Sequence, residues 1–370
     1  MLRQDKLVRV ALAGLGKMGI SHFSIVNAHP DVELVAVCDT SRYLLSVLEK
    51  GTGVACFSEY DKMLDRLELD AVVIATPSRA HGQMIKAALE RGLHVFCEKP
   101  FCLDLGLGEQ LVKLAEERGV VTQVGYHCRF VAAFQEMKRL IDCGVIGAIH
   151  HIRAEAYGAV VLRPKGATWR AKKSEGGGCL YDYACHAIDL MNYMVGPPAL
   201  VRGTVLNKIF SRDVEDEVYA SLFYGGGNSG QLAANWSDES YRKMSTKVTV
   251  WGTNGRIVSD RQECQVYLRS KVAEAPDLAA GWTVRYTTDL TPPVWFYLRG
   301  EEYSAQIDHF IQCIKEGRKD NLSSFASALQ ADSVVDMMLK DVAGKTREVR
   351  EGHQSNSRWH KLLVALFGSR

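Results

Sequence analysis

Residues 8–13, Val-Arg-Val-Ala-Leu-Ala, pass directly into Gly14-Leu15-Gly16-Lys17-Met18-Gly19 and then into a helical pattern. Few folds can use that junction. In a strand-turn-helix unit Gly14 makes the tight turn, Gly16 lets the backbone approach a pyrophosphate, and Gly19 lets helix and strand pack closely. The helix start, with Lys17 and Met18, presents backbone N–H groups to an anion. A second apolar run, 32–38, ends on Asp39, where a carboxylate can accept hydrogen bonds from both hydroxyls of an adenosine ribose. A carboxylate there repels a 2′-phosphate, which favours NAD. Arg42, three residues on, could stack on adenine or neutralise that phosphate, so NADP stays open as an alternative.

The rest of the first 125 residues repeats the same alternation. Short apolar runs at 55–57, 70–75, 94–97 and 120–124 alternate with helical patterns at 42–50, 60–66, 81–91 and 105–118. Six strands in this rhythm predict a doubly wound parallel sheet of the Rossmann type, a dinucleotide-binding fold. Ligands in such sheets sit beyond the carboxyl ends of the strands. Strand four runs into Thr76-Pro77-Ser78-Arg79-Ala80-His81 and strand five into Glu98-Lys99-Pro100, so Thr76, Pro77, His81, Glu98 and Lys99 are expected at the cofactor. A lysine there, beside a nicotinamide, could donate to a substrate hydroxyl and to a cofactor ribose.

After Gly125 the rhythm changes to a helix at 131–143, an alternating run at 150–157, a glycine cluster, a helix at 181–195 and a series of longer strands. Those strands, at 200–209, 218–224, 230–236, 246–251, 256–259 and 265–269, are joined by turn signals such as Gly225-Gly226-Gly227-Asn228 and Thr253-Asn254-Gly255. They predict an α+β domain with a mostly antiparallel sheet and helices on one face. Two closing helices are expected at 301–315 and 324–339. The expected division is 1–125, 126–345 and a tail 346–370, in which residues 359–367 read as a short docking or partly ordered segment, with a subunit contact or a weak membrane-surface contact as the alternatives.

Within Gly176-Gly177-Gly178-Cys179-Leu180-Tyr181-Asp182-Tyr183-Ala184-Cys185-His186, Asp182 and His186 are four apart and would share a helix face. A histidine titrates near neutral pH, which suits taking a proton from an alcohol as its carbon loses hydride; a nearby carboxylate would fix its tautomer. No H-E-x-x-H pair or C-x-x-C pair accompanies it, so no metal is expected.

Bulk properties exclude several classes. Forty-five basic against forty-three acidic residues leave a net charge of +2 without charge blocks, which gives no footprint for nucleic acid. No apolar run approaches the ~18 residues of a membrane span. A charged start, Met1-Leu2-Arg3-Gln4-Asp5-Lys6, and ten cysteines in a chain of 370 residues suit a cytoplasmic protein with reduced thiols.

Together, Gly14–Gly19, Thr76-Pro77 with His81, Glu98-Lys99-Pro100 and Gly176–His186 resemble the glucose-fructose oxidoreductase and inositol dehydrogenase family (Gfo/Idh/MocA) over about residues 7–345. The resemblance implies a Rossmann domain followed by an open-faced, mostly antiparallel sheet domain, with the active site between them and a homo-oligomer, dimer or tetramer, formed through that sheet. By the same resemblance Lys99, Asp182 and His186 are catalytic, with His186 as acid/base, and Tyr126 and Arg129 flank cofactor and substrate. Tyr183-Ala184 departs from the glycine-containing step common there and would shape the pocket. His127, Arg129, Trp169, Arg170, Tyr183 and Trp236 are the expected substrate contacts. The implied reaction is hydride transfer between a secondary alcohol of a sugar, cyclic polyol or nucleotide sugar and NAD(P). The alternatives are a glycoside hydrolase that oxidises its substrate transiently and a non-catalytic dinucleotide sensor, against which Lys99 and His186 both stand.

Overall fold

A computed structural model describes residues 6–160, 169–292 and 300–344. The expected tail 346–370 lies outside the described residues. Six strands, β1 (Val8–Ala13), β2 (Val32–Cys38), β3 (Ala55–Phe57), β4 (Ala71–Ile74), β5 (His94–Cys97) and β6 (Thr122–Val124), form one parallel sheet in the order β3-β2-β1-β4-β5-β6. β1 and β4 are buried along almost their whole length because helices cover both faces. Those helices are α1 (Lys17–Ala28), α2 (Arg42–Thr52), α3 (Tyr60–Arg66), α4 (His81–Glu90) and α5 (Leu105–Arg118). Side chains set their limits. Ser41 and Asp104 accept the first-turn N–H groups of Leu44 and Leu107, while Gly53 and Gly119 take the left-handed conformation that ends α2 and α5. The chain order reverses between β1 and β4, which opens a crevice at their carboxyl ends.

The second sheet is built from β7 (Ile149–Tyr157), β8 (Leu200–Asn207), β9 (Glu217–Phe223), β10 (Ser229–Asn235), β11 (Ser245–Gly252), β12 (Gly255–Ser259), β13 (Glu263–Leu268) and β14 (Gly281–Tyr286), in the order β14-β13-β12-β11-β7-β10-β9-β8. All neighbours are antiparallel except β7 and β10, which pair in parallel from His151 opposite Ser229 to Tyr157 opposite Asn235. The edge strand β14 was not among the expected strands. Helices α6 (Ala132–Asp142) and α7 (Cys185–Val195) cover one face, and alternate residues such as Trp251, Tyr267 and Trp282 project from the other. No helix among the described residues is long and apolar enough to cross a membrane.

After the short α8 (Thr287–Leu290), the chain returns to the first sheet. Helix α9 (Glu301–Glu316) places Ile307, Phe310, Ile311 and Ile314 in one cluster with Val8, Val10 and Leu12 of β1. Lys315 and Asp31, 2.6 Å apart, and His29 and Asp308, 3.2 Å apart, tie its outer side to the loop after α1. A final helix, 325–344, puts Phe325 against Phe101.

Candidate active site

A cavity of about 990 Å³ lies at the crevice between β1 and β4 and continues to the start of α7. At its dinucleotide end, Gly14 has φ +94°, and a Cβ there would lie 2.6 Å from the Ala75 carbonyl oxygen. Gly19 is tighter still, its hypothetical Cβ 1.9 Å from the Gly14 carbonyl oxygen, so it serves helix packing and does not line the cavity. Gly16 differs from both. Nothing lies within 4 Å of a Cβ built on it, yet it lines the cavity with Lys17 and Met18, and no side chain caps the helix there. A glycine that the protein itself does not need is the mark of a ligand's approach, and an uncapped helix start suits a pyrophosphate.

Asp39 also lines the cavity, its carboxylate held by the backbone N–H groups of Leu15 at 2.6 Å and Ser41 at 2.7 Å. It is thereby fixed where ribose hydroxyls would reach it. These residues fit a dinucleotide whose adenosine ribose carries free hydroxyls, as NAD does. Arg42 starts α2, is exposed and does not line the cavity. Thr76 and Pro77 line it as expected, but His81 does not: its buried ring bridges the carbonyl oxygens of Pro100 at 2.8 Å and Thr76 at 3.0 Å. His81 therefore stitches the ends of β4 and β5 together.

Glu98 is buried at the end of β5 and accepts a 2.7 Å hydrogen bond from His22 on α1. Burial opposes its charge, but the His22 contact and the Lys99 charge hold the carboxyl below its ordinary range. The pair fastens the dinucleotide helix to the loop that carries Lys99. Lys99, preceding a cis peptide bond to Pro100, sends its ammonium into the second half of the chain. There it donates to Asp182 Oδ1 at 2.9 Å and to the Asp182 carbonyl oxygen at 3.0 Å. Asp182 Oδ2 accepts from Arg170 Nε at 2.8 Å. Burial disfavours both charges, yet their mutual attraction prevails: Asp182 falls to about 2, and Lys99 is held above its ordinary value.

The segment that presents Asp182 is one π-helical turn, Leu180–Ala184, leading into α7. Its start is held by Glu215, whose Oε1 accepts the Leu180 N–H at 2.8 Å and would sit 2.2 Å from a Cβ on Gly178. That turn departs from the 3.6-residue spacing assumed for Asp182 and His186. Both residues line the cavity, but the Asp182 oxygens go to Lys99 and Arg170, and His186 Nδ1 is buried without a hydrogen-bond partner. The expected carboxylate–imidazole pair does not form. Burial first, and then the charge of Lys99, hold His186 well below its ordinary value, so the ring is neutral near pH 7.

His127 lines the cavity with its ring 4.9 Å from that of His186 and stacked on Tyr303 at 4.6 Å. Trp169, Arg170 and Tyr183 also line it. Tyr126 is fully buried behind His186, their rings edge to face at 6.0 Å, and does not reach the cavity. Two expected substrate contacts lie elsewhere. Arg129 is buried in a two-pronged bond to Asp189, 2.9 and 2.7 Å, and Trp236 donates to Asp216 at 2.8 Å. Both are structural because their polar atoms are already satisfied inside the protein. The sequence reading missed His22, Lys243, Arg261 and Tyr303. The last three line the cavity from distant parts of the chain, and Glu302 pairs with Arg261.

Residues 8–126 match the family model described as "Oxidoreductase family, NAD-binding Rossmann fold", and residues 134–258 match the "GFO/IDH/MocA C-terminal domain". The chain belongs to the GFO/IDH/MocA oxidoreductase family. Among GFO/IDH/MocA relatives, a scyllo-inositol 2-dehydrogenase (NAD(+)) of Bacillus subtilis is 28% identical over 319 residues, 84% of this chain and 87% of its own length. A D-glucoside 3-dehydrogenase of Escherichia coli is 31% identical over 239 residues, 60% of this chain and 68% of its own. Levoglucosan dehydrogenase, solved in complex with NADH and levoglucosan, superposes with a TM-score of 0.79 at 25% identity, covering 92% of this chain and 98% of its own.

Proposed function

We propose that this GFO/IDH/MocA protein oxidises a secondary alcohol of a sugar or cyclic polyol with NAD. The observation that carries the reading is the convergence of Lys99, from the end of β5, and His186, from α7, on one cavity that also holds the glycine cradle and Asp39. NAD, when bound, supplies the acceptor for the hydride that leaves the carbinol carbon. The ammonium of Lys99 donates to the substrate oxygen and stabilises its alkoxide character, and neutral His186 accepts the hydroxyl proton. Asp182 keeps Lys99 charged and aimed. Trp169 and Tyr183 offer aromatic faces to the C–H faces of a ring, and Arg170 and His127 offer polar contacts. Relatives that act on an inositol and a glucoside support this substrate class.

The test is reduced-nicotinamide absorbance with the full chain, NAD and a panel of inositols, glycosides, anhydrosugars and nucleotide sugars. Net NADH from at least one of them, abolished by Lys99→Met and by His186→Ala, is the expected result. Retained NAD without net reduction, together with glycoside cleavage, would move the reading to transient oxidation. Near-normal turnover in either variant would remove the assignment of these two residues.

The same proposal includes a homo-oligomer formed through the open face of the second sheet. Trp282, Val284 and Tyr286 of β14 are about half exposed on the side that also carries Tyr267 and Trp251, with Arg256 and Glu263 among them, a mixed apolar and charged face that suits a subunit contact. Light scattering should give a dimer or tetramer that Trp282→Glu weakens, and a monomer at all concentrations would overturn this part. Ten free cysteines suit the reducing cytoplasm.

A further inference from the structure

Behind the two histidines of the cavity lies a third donor. Each of His127, Cys128 and His186 offers one ligand atom, and the three atoms lie within 4.8 Å of one another. His127 Nε2 and Cys128 Sγ are 3.7 Å apart. A tetrahedral zinc ion, with bonds of about 2.0–2.1 Å to nitrogen and about 2.3 Å to sulfur, holds its ligand atoms roughly 3.3–3.7 Å apart. One separation already matches, and the others need side-chain movements of about an ångström. The three side chains belong to residues only 5%, 1% and 3% exposed, and His186 Nδ1 has no hydrogen-bond partner inside the protein. A buried polar atom left unpaired is costly, so the site gains by capturing a ligand.

We propose that His127, Cys128 and His186 form a binding site for a thiophilic divalent cation of the zinc type, and that its occupation blocks proton transfer at His186. The charges around the site decide which cation fits. Lys99 and Arg261 both act on Cys128 and His186 and repel a cation, while Asp189 and Glu302 act on Cys128 with the opposite sign and offset part of that repulsion. Hard ions such as Mg²⁺ and Ca²⁺, which need several oxygen ligands, find none in this set; a metal that bonds strongly to thiolate gains a compensating negative charge. Binding forms the metal–sulfur bond as the Cys128 thiol gives up its proton to solvent, and no electron is transferred. The cavity, lined by both histidines, is the path of entry. An imidazole whose lone pair is on a metal cannot accept the alcohol proton, so the occupied enzyme is inactive and a chelator restores it.

The test uses the full tag-free chain after chelator treatment and dialysis. Cobalt(II) titration is expected to give one equivalent with a near-ultraviolet thiolate-to-cobalt charge-transfer band, and zinc displaces it. Cys128→Ala and Cys128→Ser lose the band and the zinc inhibition while keeping NAD binding and basal turnover, because Cys128 takes no part in the reaction. Zinc-edge X-ray absorption on the wild-type protein supplies a reading that no variant can confuse: one sulfur and at least two imidazole nitrogens are expected. A band that survives both substitutions, a titration without a band, or a shell without sulfur or with two or more sulfurs overturns the proposal. The cobalt band and the X-ray absorption shell need no substrate, so their failure is separate from any failure of the dehydrogenase reading, whereas the loss of zinc inhibition rests on that reading.

Discussion

Replacing Asp182 by Asn tests the electrostatic core of the site. In the native protein one carboxylate holds Lys99 through Oδ1 and Arg170 through Oδ2, and its side chain is only 6% exposed. Burial would raise its pKa, yet the two cations bring it from 3.8 to about 2, which at about 1.4 kcal/mol per tenfold is roughly 2–3 kcal/mol in favour of the ionised form. That stabilisation is present above 3.8 and lost as pH falls through about 2. Asparagine removes it at neutral pH and leaves two cations facing each other; breaking a buried pair from one side costs about 3–5 kcal/mol. Urea unfolding at neutral pH should therefore show a loss of roughly 2–5 kcal/mol. Lys99 gives the second readout. Its ammonium, held above 10.5 in the native protein, then loses its main compensating charge while burial still opposes it and only Glu98 and Cys185 still favour it, so its pKa falls. The basic limb of the kcat/KM profile should move to lower pH than in the wild type. An unchanged basic side of the profile, with a stability loss under about 0.5 kcal/mol, would refute the reasoning.

Three further outcomes follow from the geometry. Gly16→Val, at a position with open space around the Cβ, should leave the melting temperature unchanged and weaken NAD binding at least about tenfold, whereas Gly14→Ala, with φ +94° and a backbone oxygen 2.6 Å away, should cost about 1–3 kcal/mol of stability; calorimetry and NAD titration separate the two. Glu98→Gln replaces a buried carboxylate bonded to His22 and should lower stability by about 1.5–3 kcal/mol in urea unfolding, and a variant as stable as the wild type would contradict the pairing. Because burial and Lys99 keep His186 neutral, the acid limb of kcat/KM should fall well below pH 6.5, and unfolding should become easier as pH drops through 6.5, since the unfolded chain takes up a proton that the folded site refuses.

The parts of this site that sequence makes legible are those whose spacing is local. Gly14 to Gly19, Asp39 at the end of β2, and Glu98-Lys99 at the end of β5 each sit where a strand hands over to the next element, and strand periodicity alone locates such points. His81, Arg129 and Trp236 have the right chemistry at the right distance along the chain, but their polar atoms are taken up by Thr76, Pro100, Asp189 and Asp216, contacts that spacing does not reveal. The Asp182–His186 relation misled for a different reason. The spacing implies a regular helix, whereas the chain makes a π turn and Lys99 reaches the carboxylate from 83 residues away. Tyr303 and Arg261 were invisible because nothing near them in sequence marks a site. Strand β14 was passed over although Trp282, Val284 and Tyr286 alternate with Gly281, Thr283 and Arg285; its outward residues are apolar, which inverts the usual pattern of an edge strand.

The return of α9 to the first sheet bears on how the chain can be made and divided. Val8, Val10 and Leu12 are synthesised about 300 residues before Ile307, Phe310 and Ile314, which share their cluster and help to cover them. Until then the first sheet lacks the part of its apolar cover that α9 supplies, and only residues such as Ile25 and Val26 of α1 lie over it. The first 125 residues are thus no free-standing cassette. Grafted onto another protein without α9 they would carry a partly uncovered apolar flank, and a chain cut short before residue 301 would lose part of the covering of β1 together with the Tyr303 wall of the cavity.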